Sequence, residues 1–330
     1  MIQTYIIAEV ASAHEGNPDL ILKIADHAIK SGADAIKFQI FVRDQLLIKS
    51  NPYFNEFGEI EIAPSHWQRI LKEVSSQDID IIVEPYDVDS LNIAEQTDLV
   101  NGYKLPTACI GETELIQKIK ETKKSVYLGI GGAEWDEIEQ AVSLFKSSDI
   151  TLLCGFQNFP TRLENSNLYQ ISQLKEVFGC AIGYADHVDA EDQKMAMILP
   201  ALAVTLGATV IEKHITDDRS RKGRDHYSAL NPDEFKGFVR LMRSLPEIIG
   251  EGKEWRLSKS ELKYRKFTKS QAVATRDIAG GTKLNLKDIV FKRTNEEGLS
   301  AQDISKYVGK EIIRSKKIDD PLRHEDFIET

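Results

Sequence analysis

Short apolar runs alternate with longer amphipathic segments from the first residues to about residue 250, and that rhythm restricts the possible folds more than any single motif. Tyr5–Glu9, Ala35–Gln39, Asp80–Glu84, Gly102–Lys104, Ser125–Gly129, Ile150–Cys154, Ala181–Tyr184 and Val210–His214 are too short for stable helices and read as strands. Between them lie helix-like stretches such as Pro18–Ser31, where Leu20, Ile21, Ile24 and Ala28 recur at helical spacing before Gly32. Ser65-His66-Trp67-Gln68 has the form of a capping box opening a helix to about Gln77. Asn231-Pro232-Asp233-Glu234 opens the last helix of the series with a capping Asn and Pro at the first helical position. Eight strand–helix units in about 250 residues predict a closed parallel (β/α)8 TIM barrel. An open doubly wound sheet is the alternative. It calls for a glycine-rich phosphate turn after an early strand, and Gly129-Ile130-Gly131-Gly132, after the fifth strand, is the only candidate.

The pattern then changes. Residues 251–267 are charged and read as a linker, and 268–330 read as a small β-rich module. In that module Asp277-Ile278…Leu284…Asp288-Ile289 is echoed by Lys317-Ile318…Leu322…Asp326-Phe327, two similar strand–turn elements around a pseudo-twofold. So small a unit has a thin core and is expected to lean on the barrel or on a partner chain. A formal net charge of −10 argues against a nucleic-acid binder, whose affinity comes from neutralising phosphates. No apolar run has the length of a membrane span. The chain enters a strand without a basic region or cleavage site, so no signal peptide is expected. Cys109, Cys154 and Cys180 have neither metal nor disulfide spacing, and a reducing cytoplasm is the expected setting.

In such barrels the chemistry sits at the C-terminal ends of the strands. Those ends carry Glu9, Lys37 with Gln39, Glu84, Lys104, Gln157, His187 and His214, with Asp225 on the loop after the last strand. Period-two alternation puts Lys37 and Gln39 on one face and Phe38 on the other, and pairs Glu212 with His214. A charged residue ending an apolar strand is costly unless it has a partner or a ligand, and one alone could be half of a structural ion pair. Seven or eight converging on one mouth point to a site. Two imidazoles suit a divalent metal, two lysines an anion, and carboxylates proton transfer or hydroxyl binding.

Ile-Ile-Ala-Glu-Val…His-Glu-Gly (6–16), Gly-Ala-Asp-Ala-Ile-Lys-Phe-Gln (32–39), Phe-Pro-Thr (159–161) and Gly-Tyr-Ala-Asp-His (183–187) resemble signatures of the sialic acid synthases. Ile-Glu-Lys-His-Ile-Thr (211–216) and Gly-Arg-Asp-His-Tyr-Ser-Ala-Leu-Asn-Pro-Asp-Glu-Phe (223–235) do so too, and the resemblance covers nearly the whole chain. The tail is similar to that family's antifreeze-protein-like SAF domain. The resemblance implies condensation of phosphoenolpyruvate with an N-acetyl-hexosamine-type aldose, giving a nonulosonate and phosphate. It implies Mn²⁺ or Mg²⁺ on His187 and His214, phosphoenolpyruvate on Lys37 and Lys104, and sugar and water handled by Glu9 and Asp225. Gln39, Thr107, Gln157 and Phe159 would bind substrate. Arg293 would reach the partner's site in a domain-swapped homodimer.

Some positions depart from the family. Gly129 and Ala185 stand where serines usually grip phosphoenolpyruvate, and Thr107 stands at a third such position. Gln157 replaces an asparagine, Phe159 a tyrosine, Ala13 an asparagine and Cys109 a glutamate. Each hydrogen bond lost to a charged group is worth roughly 1.5–3 kcal/mol. Arg221, Lys222 and Arg224 are possible replacements, although such a cluster is also what a solvated loop carries. Two further readings stay open: a metal-dependent aldolase or epimerase that does not use phosphoenolpyruvate, and a non-catalytic sugar-binding homologue.

Overall fold

The structure is a computed structural model that describes residues 3–147, 149–156, 160–250, 252 and 254–327. It divides into two compact units, Met1–Glu251 and Gly252–Thr330. In the first, eight parallel strands close on themselves in sequence order: β1 (Tyr5–Glu9), β2 (Ala35–Ile40), β3 (Asp80–Pro85), β4 (Gly102–Leu105), β5 (Ser125–Gly129), β6 (Ile150–Cys154), β7 (Ala181–Asp186) and β8 (Val210–His214). The open-sheet alternative is thereby excluded, because β8 pairs with β1 from Tyr5↔Val210 to Glu9↔His214.

Alternation along each strand divides the apolar residues between two cores. Ile6, Ala8, Ile36, Phe38, Val83, Leu105, Leu128 and Leu152 face outward and pack with the helices, as in the contact of Phe38 with Trp67 at 5.8 Å between ring centres. Ile7, Ala35, Ile82, Tyr127, Leu153 and Val210 face the axis and fill the barrel. One step further along the same inward rows the side chains become charged. The barrel is therefore plugged by an apolar layer, and the polar layer above it is the floor of the C-terminal mouth.

The helices follow from ordinary signals. Asn17 caps Pro18–Ser31 by accepting from the Asp19 and Leu20 N–H groups, and Gly32, at φ +84°, ends it. The capping box expected at Ser65 is not formed. The helix Pro64–Ser75 starts two residues earlier than that box would set, with Pro64 in its first turn and Ala63 as a cap without a side-chain bond, because the fixed φ of proline already suits that place. At Asn231 the expectation holds, with Glu234 reaching back to the Asn231 N–H at 2.8 Å. Among the described residues of the first unit, three helices are not evident in the sequence: Arg43–Leu46, Phe54–Ile60 and Val88–Glu95. The first two are short and bury at most one residue each, and the third is weakly amphipathic and held by Asp87, which accepts from the Ser90 N–H at 2.7 Å.

The second unit has its own core of Ala272, Ala274, Ile278, Leu284, Ile304, Tyr307, Ile312 and Leu322. Its antiparallel pair is β9 (Gln271–Ala274) with β10 (Ile289–Lys292), preceded by the helix Lys259–Thr268 within the charged stretch. The internal echo is real at Leu284…Asp288 and Leu322…Asp326. Both leucines and both aspartates are buried, and each aspartate accepts from the N–H three residues earlier, Asn285 at 3.0 Å and Arg323 at 2.7 Å. Ile318 does not match Ile278, since one is exposed and the other buried.

Candidate active site

The inward ends of β1, β2, β3, β4 and β8 supply a buried network of five charges. Lys37 lies against Glu9, 2.6 Å from Glu84 and 2.9 Å from Glu212. Lys104 is 2.8 Å from Glu212 and 3.6 Å from Glu84. All five side chains are at most 6 % exposed. Strand register places them there: Glu9 is directly opposite Lys37 on one side and His214 on the other. Glu9 also accepts from the Ala11 N–H at 2.6 Å, which folds the loop after β1 back over the mouth. Burial pulls the Lys37 ammonium below its ordinary range despite its carboxylate neighbours. Burial acts on Lys104 in the same sense, but Glu212 and Glu84 outweigh it and hold Lys104 above its ordinary value. Glu212 is the reverse case. Burial disfavours its charge, and the two lysines more than compensate, so it stays ionised.

His187 follows β7 and His214 ends β8, and their ring centres are 5.1 Å apart. The His187 carbonyl accepts from the Thr161 N–H at 2.8 Å and the Ser228 hydroxyl at 2.7 Å, so its backbone is fixed by two loops. Burial, aided by Lys104, pushes His187 down to about 4, and burial with His187 beside it puts His214 well below the usual range. Both rings are thus neutral near pH 7. The residues just before them turn the other way. Asp186 and Lys213 form a fully buried ion pair at 2.5 Å on the outward face, and Asp186 also accepts from Tyr184 and from the Val188 N–H, each at 3.2 Å.

These groups open into one cavity of about 650 Å³ at the C-terminal end of the barrel. Its walls bring together Glu9, Lys37, Gln39, Lys104, Thr107, His187, His214 and Asp225. Asp225 sits at φ +60° and accepts from the Ser12 N–H at 3.0 Å, and burial raises its carboxyl above the ordinary range. The Thr107 hydroxyl is buried without a hydrogen-bond partner among the described residues. Gly129 explains its room: a Cβ there would come within 3.3 Å of that hydroxyl and of the Leu105 carbonyl. Gln157 and Phe159 lie outside the described residues. Arg293 belongs to the second unit, just past β10, and is exposed.

Sequence reasoning noted Glu84 and Glu212 on the inward rows without assigning them a role, and it missed the wall residues Tyr86, Glu137 and Phe57. The period-two argument that selected Lys37 and His214 also selects Glu84 and Glu212. Only the closed barrel shows that both carboxylates serve the lysines. Phe57 comes from the unpredicted helix Phe54–Ile60, and no local pattern signals it.

The donor chemistry suits a divalent cation, since two neutral imidazoles lie side by side in the wall of a cavity rich in carboxylates. Among the described residues no group of three or more His, Cys, Asp or Glu side chains surrounds a common metal position, so the protein would supply two donors and leave the others open. No helix among the described residues is long and apolar enough to cross a membrane.

Comparison with known proteins agrees with this geometry. Residues 24–254 match the model of the NeuB family, and residues 271–328 match that of the SAF domain. The chain is 30 % identical to an N,N'-diacetyllegionaminic acid synthase of Campylobacter jejuni, over 98 % of this chain and 100 % of that one. It is 30 % identical to a pseudaminic acid synthase of Helicobacter pylori, over 97 % of each. Among solved structures, an N-acetylneuraminic acid synthetase of Leptospira borgpetersenii in complex with citrate is similar with a TM-score of 0.73 and 30 % identity, covering 80 % of this chain and 91 % of that one. With eight strands closed as a barrel and a family match across most of its length, the chain belongs to the NeuB family of sialic-acid-type synthases and carries a C-terminal SAF domain.

Proposed function

We propose that the protein condenses phosphoenolpyruvate with an N-acetyl-hexosamine-type aldose, in a reaction dependent on a divalent metal, to give a sialic-acid-like nonulosonate and phosphate. The observation that carries this reading is the meeting of His187, His214, Lys37 and Lys104 in one buried cavity. Lys37 and Lys104 hold the carboxylate and phosphate of phosphoenolpyruvate, exchanging some of their carboxylate contacts for the substrate. Glu9 and Asp225 bind sugar hydroxyls and orient or deprotonate water. The carbon–carbon bond forms between C3 of the enolpyruvate and the aldehyde carbon. Water then adds at C2, and cleavage of the C–O bond releases phosphate.

His187 and His214 would hold a metal such as Mn²⁺ or Mg²⁺, which when bound supplies Lewis-acid polarisation of a carbonyl oxygen. Charge supports the requirement. The cavity wall carries Glu9, Glu84, Glu137, Glu212 and Asp225 against Lys37, Lys104 and Arg224, an excess of acids to which a multiply charged anion is a poor addition. Two unit charges 4 Å apart interact by about 4 kcal/mol at an effective dielectric constant of 20, so an added dication changes the balance substantially. In this reading Arg293 serves the site of a partner copy in a domain-swapped homodimer.

The test is release of inorganic phosphate with phosphoenolpyruvate, a divalent metal and a panel of N-acetyl-hexosamines. Release that needs all three, and is lost in His214→Ala, supports the synthase. Turnover of an aldose without phosphoenolpyruvate would select an aldolase or epimerase instead.

A further inference from the structure

The cavity has a deep end and a rim. His187 and His214 are almost fully buried, whereas Arg224, one residue before Asp225, keeps a side chain that is 26 % exposed. On the reading above, the aldehyde end of the acceptor lies deep at the two imidazoles, so the far end of its open chain meets the rim. Among the described residues, Arg224 is the one cation of that wall which is not committed to the buried lysine–carboxylate network. Its guanidinium pairs with Glu56, a carboxylate 46 % exposed, and lies 5.7 Å from the centre of the Phe57 ring. An ion pair so open to solvent is worth little, and a ligand anion can replace it. The guanidinium fork is matched to phosphate and carboxylate groups, and Phe57, itself a wall of the cavity, supports it from one side.

Other contacts keep Arg224 in place. On one side Lys222, at φ +53°, donates its N–H to the Arg219 carbonyl at 3.1 Å, and on the other Asp225, at φ +60°, accepts from the Ser12 N–H at 3.0 Å. The loop is thus pinned on both sides of a cation that faces a weakly held placeholder.

We propose that Arg224 is a specificity-determining residue and that the preferred acceptor carries a phosphate ester on its terminal carbon, with Glu56 holding the guanidinium until that group arrives. This inference rests on the synthase reading. The experiment compares kcat/KM for N-acetylmannosamine and its 6-phosphate, with saturating phosphoenolpyruvate and metal, in the full-length protein and in Arg224→Gln and Glu56→Gln. The natural chain is expected to favour the phosphorylated acceptor at least tenfold. Arg224→Gln removes most of that preference, and Glu56→Gln lowers KM for the phosphorylated acceptor about two- to fivefold. Equal use of both acceptors by the natural chain, or an equal loss for both in Arg224→Gln, overturns the inference and leaves the synthase intact. Phosphate release with neither acceptor overturns both. If Arg224→Gln does not fold, the effect of Glu56→Gln on the two KM values decides.

Discussion

At the scale of single residues, the interior histidine His14 shows how burial becomes a dependence on pH. It is almost fully buried, its Nδ1 accepts from the Gly16 N–H at 3.0 Å, and burial pushes it down to about 4. The unfolded chain therefore binds more protons at this residue between about pH 6.5 and 4. Its contribution is present above pH 6.5 and is lost as the pH falls toward 4. Urea unfolding of the metal-free protein should show roughly 2 kcal/mol lost at this residue between pH 7 and pH 5, with a flatter profile in His14→Gln. Asp186 and Lys213 make a second case. Removing one partner leaves the other charge buried, so Asp186→Asn should destabilise the protein by about 3–5 kcal/mol. Asp186→Leu combined with Lys213→Met should recover most of that loss, as measured by denaturant titration. A double variant as unstable as the single one would mean that the pair contributes more than its own compensation.

Among elements, the three loops after β1, β2 and β8 meet above the mouth, and glycine is the condition of one of those contacts. Gly16 holds φ +78°, and a Cβ there would meet the Glu59 carbonyl oxygen at 2.3 Å. Gly16→Ala should cost about 2–4 kcal/mol, the sum of a left-handed backbone and a backbone clash, and should loosen the helix Phe54–Ile60. Amide hydrogen exchange in residues 54–60 reads that loosening directly. This region is also where sequence reading was weakest. The eight strands were legible because alternation and length are local properties, and Lys37, His187 and His214 could be placed by counting. The helices Arg43–Leu46 and Phe54–Ile60 were not legible, because they are short and bury at most one residue each. Asp225 could be placed on the loop after the last strand, but its seat in the wall was not legible, since it depends on a bond to Ser12, 213 residues earlier in the chain.

For the whole molecule, the two units have separate cores. What the sequence could not supply is how Glu9, Glu84 and Glu212, on β1, β3 and β8, distribute themselves between two lysines, because that depends on the barrel closing. If Arg293 serves a partner's site, Arg293→Ala and His214→Ala should each be inactive alone. Refolded together from a mixture of unfolded chains, they should regain part of the phosphate release, since some dimers then hold one intact site. A mixture as inactive as its parents would remove Arg293 from the reaction.

The outward clasp of Asp186 with Lys213 has a consequence for the chemistry on the opposite face of the same strands. Sliding either strand by a single residue would swing its imidazole toward the helices and thrust a lone ammonium or carboxylate into the mouth. Misalignment would therefore disarm the catalyst and strand a charge in the same movement. The clasp polices the alignment on which the histidines depend without ever meeting a ligand.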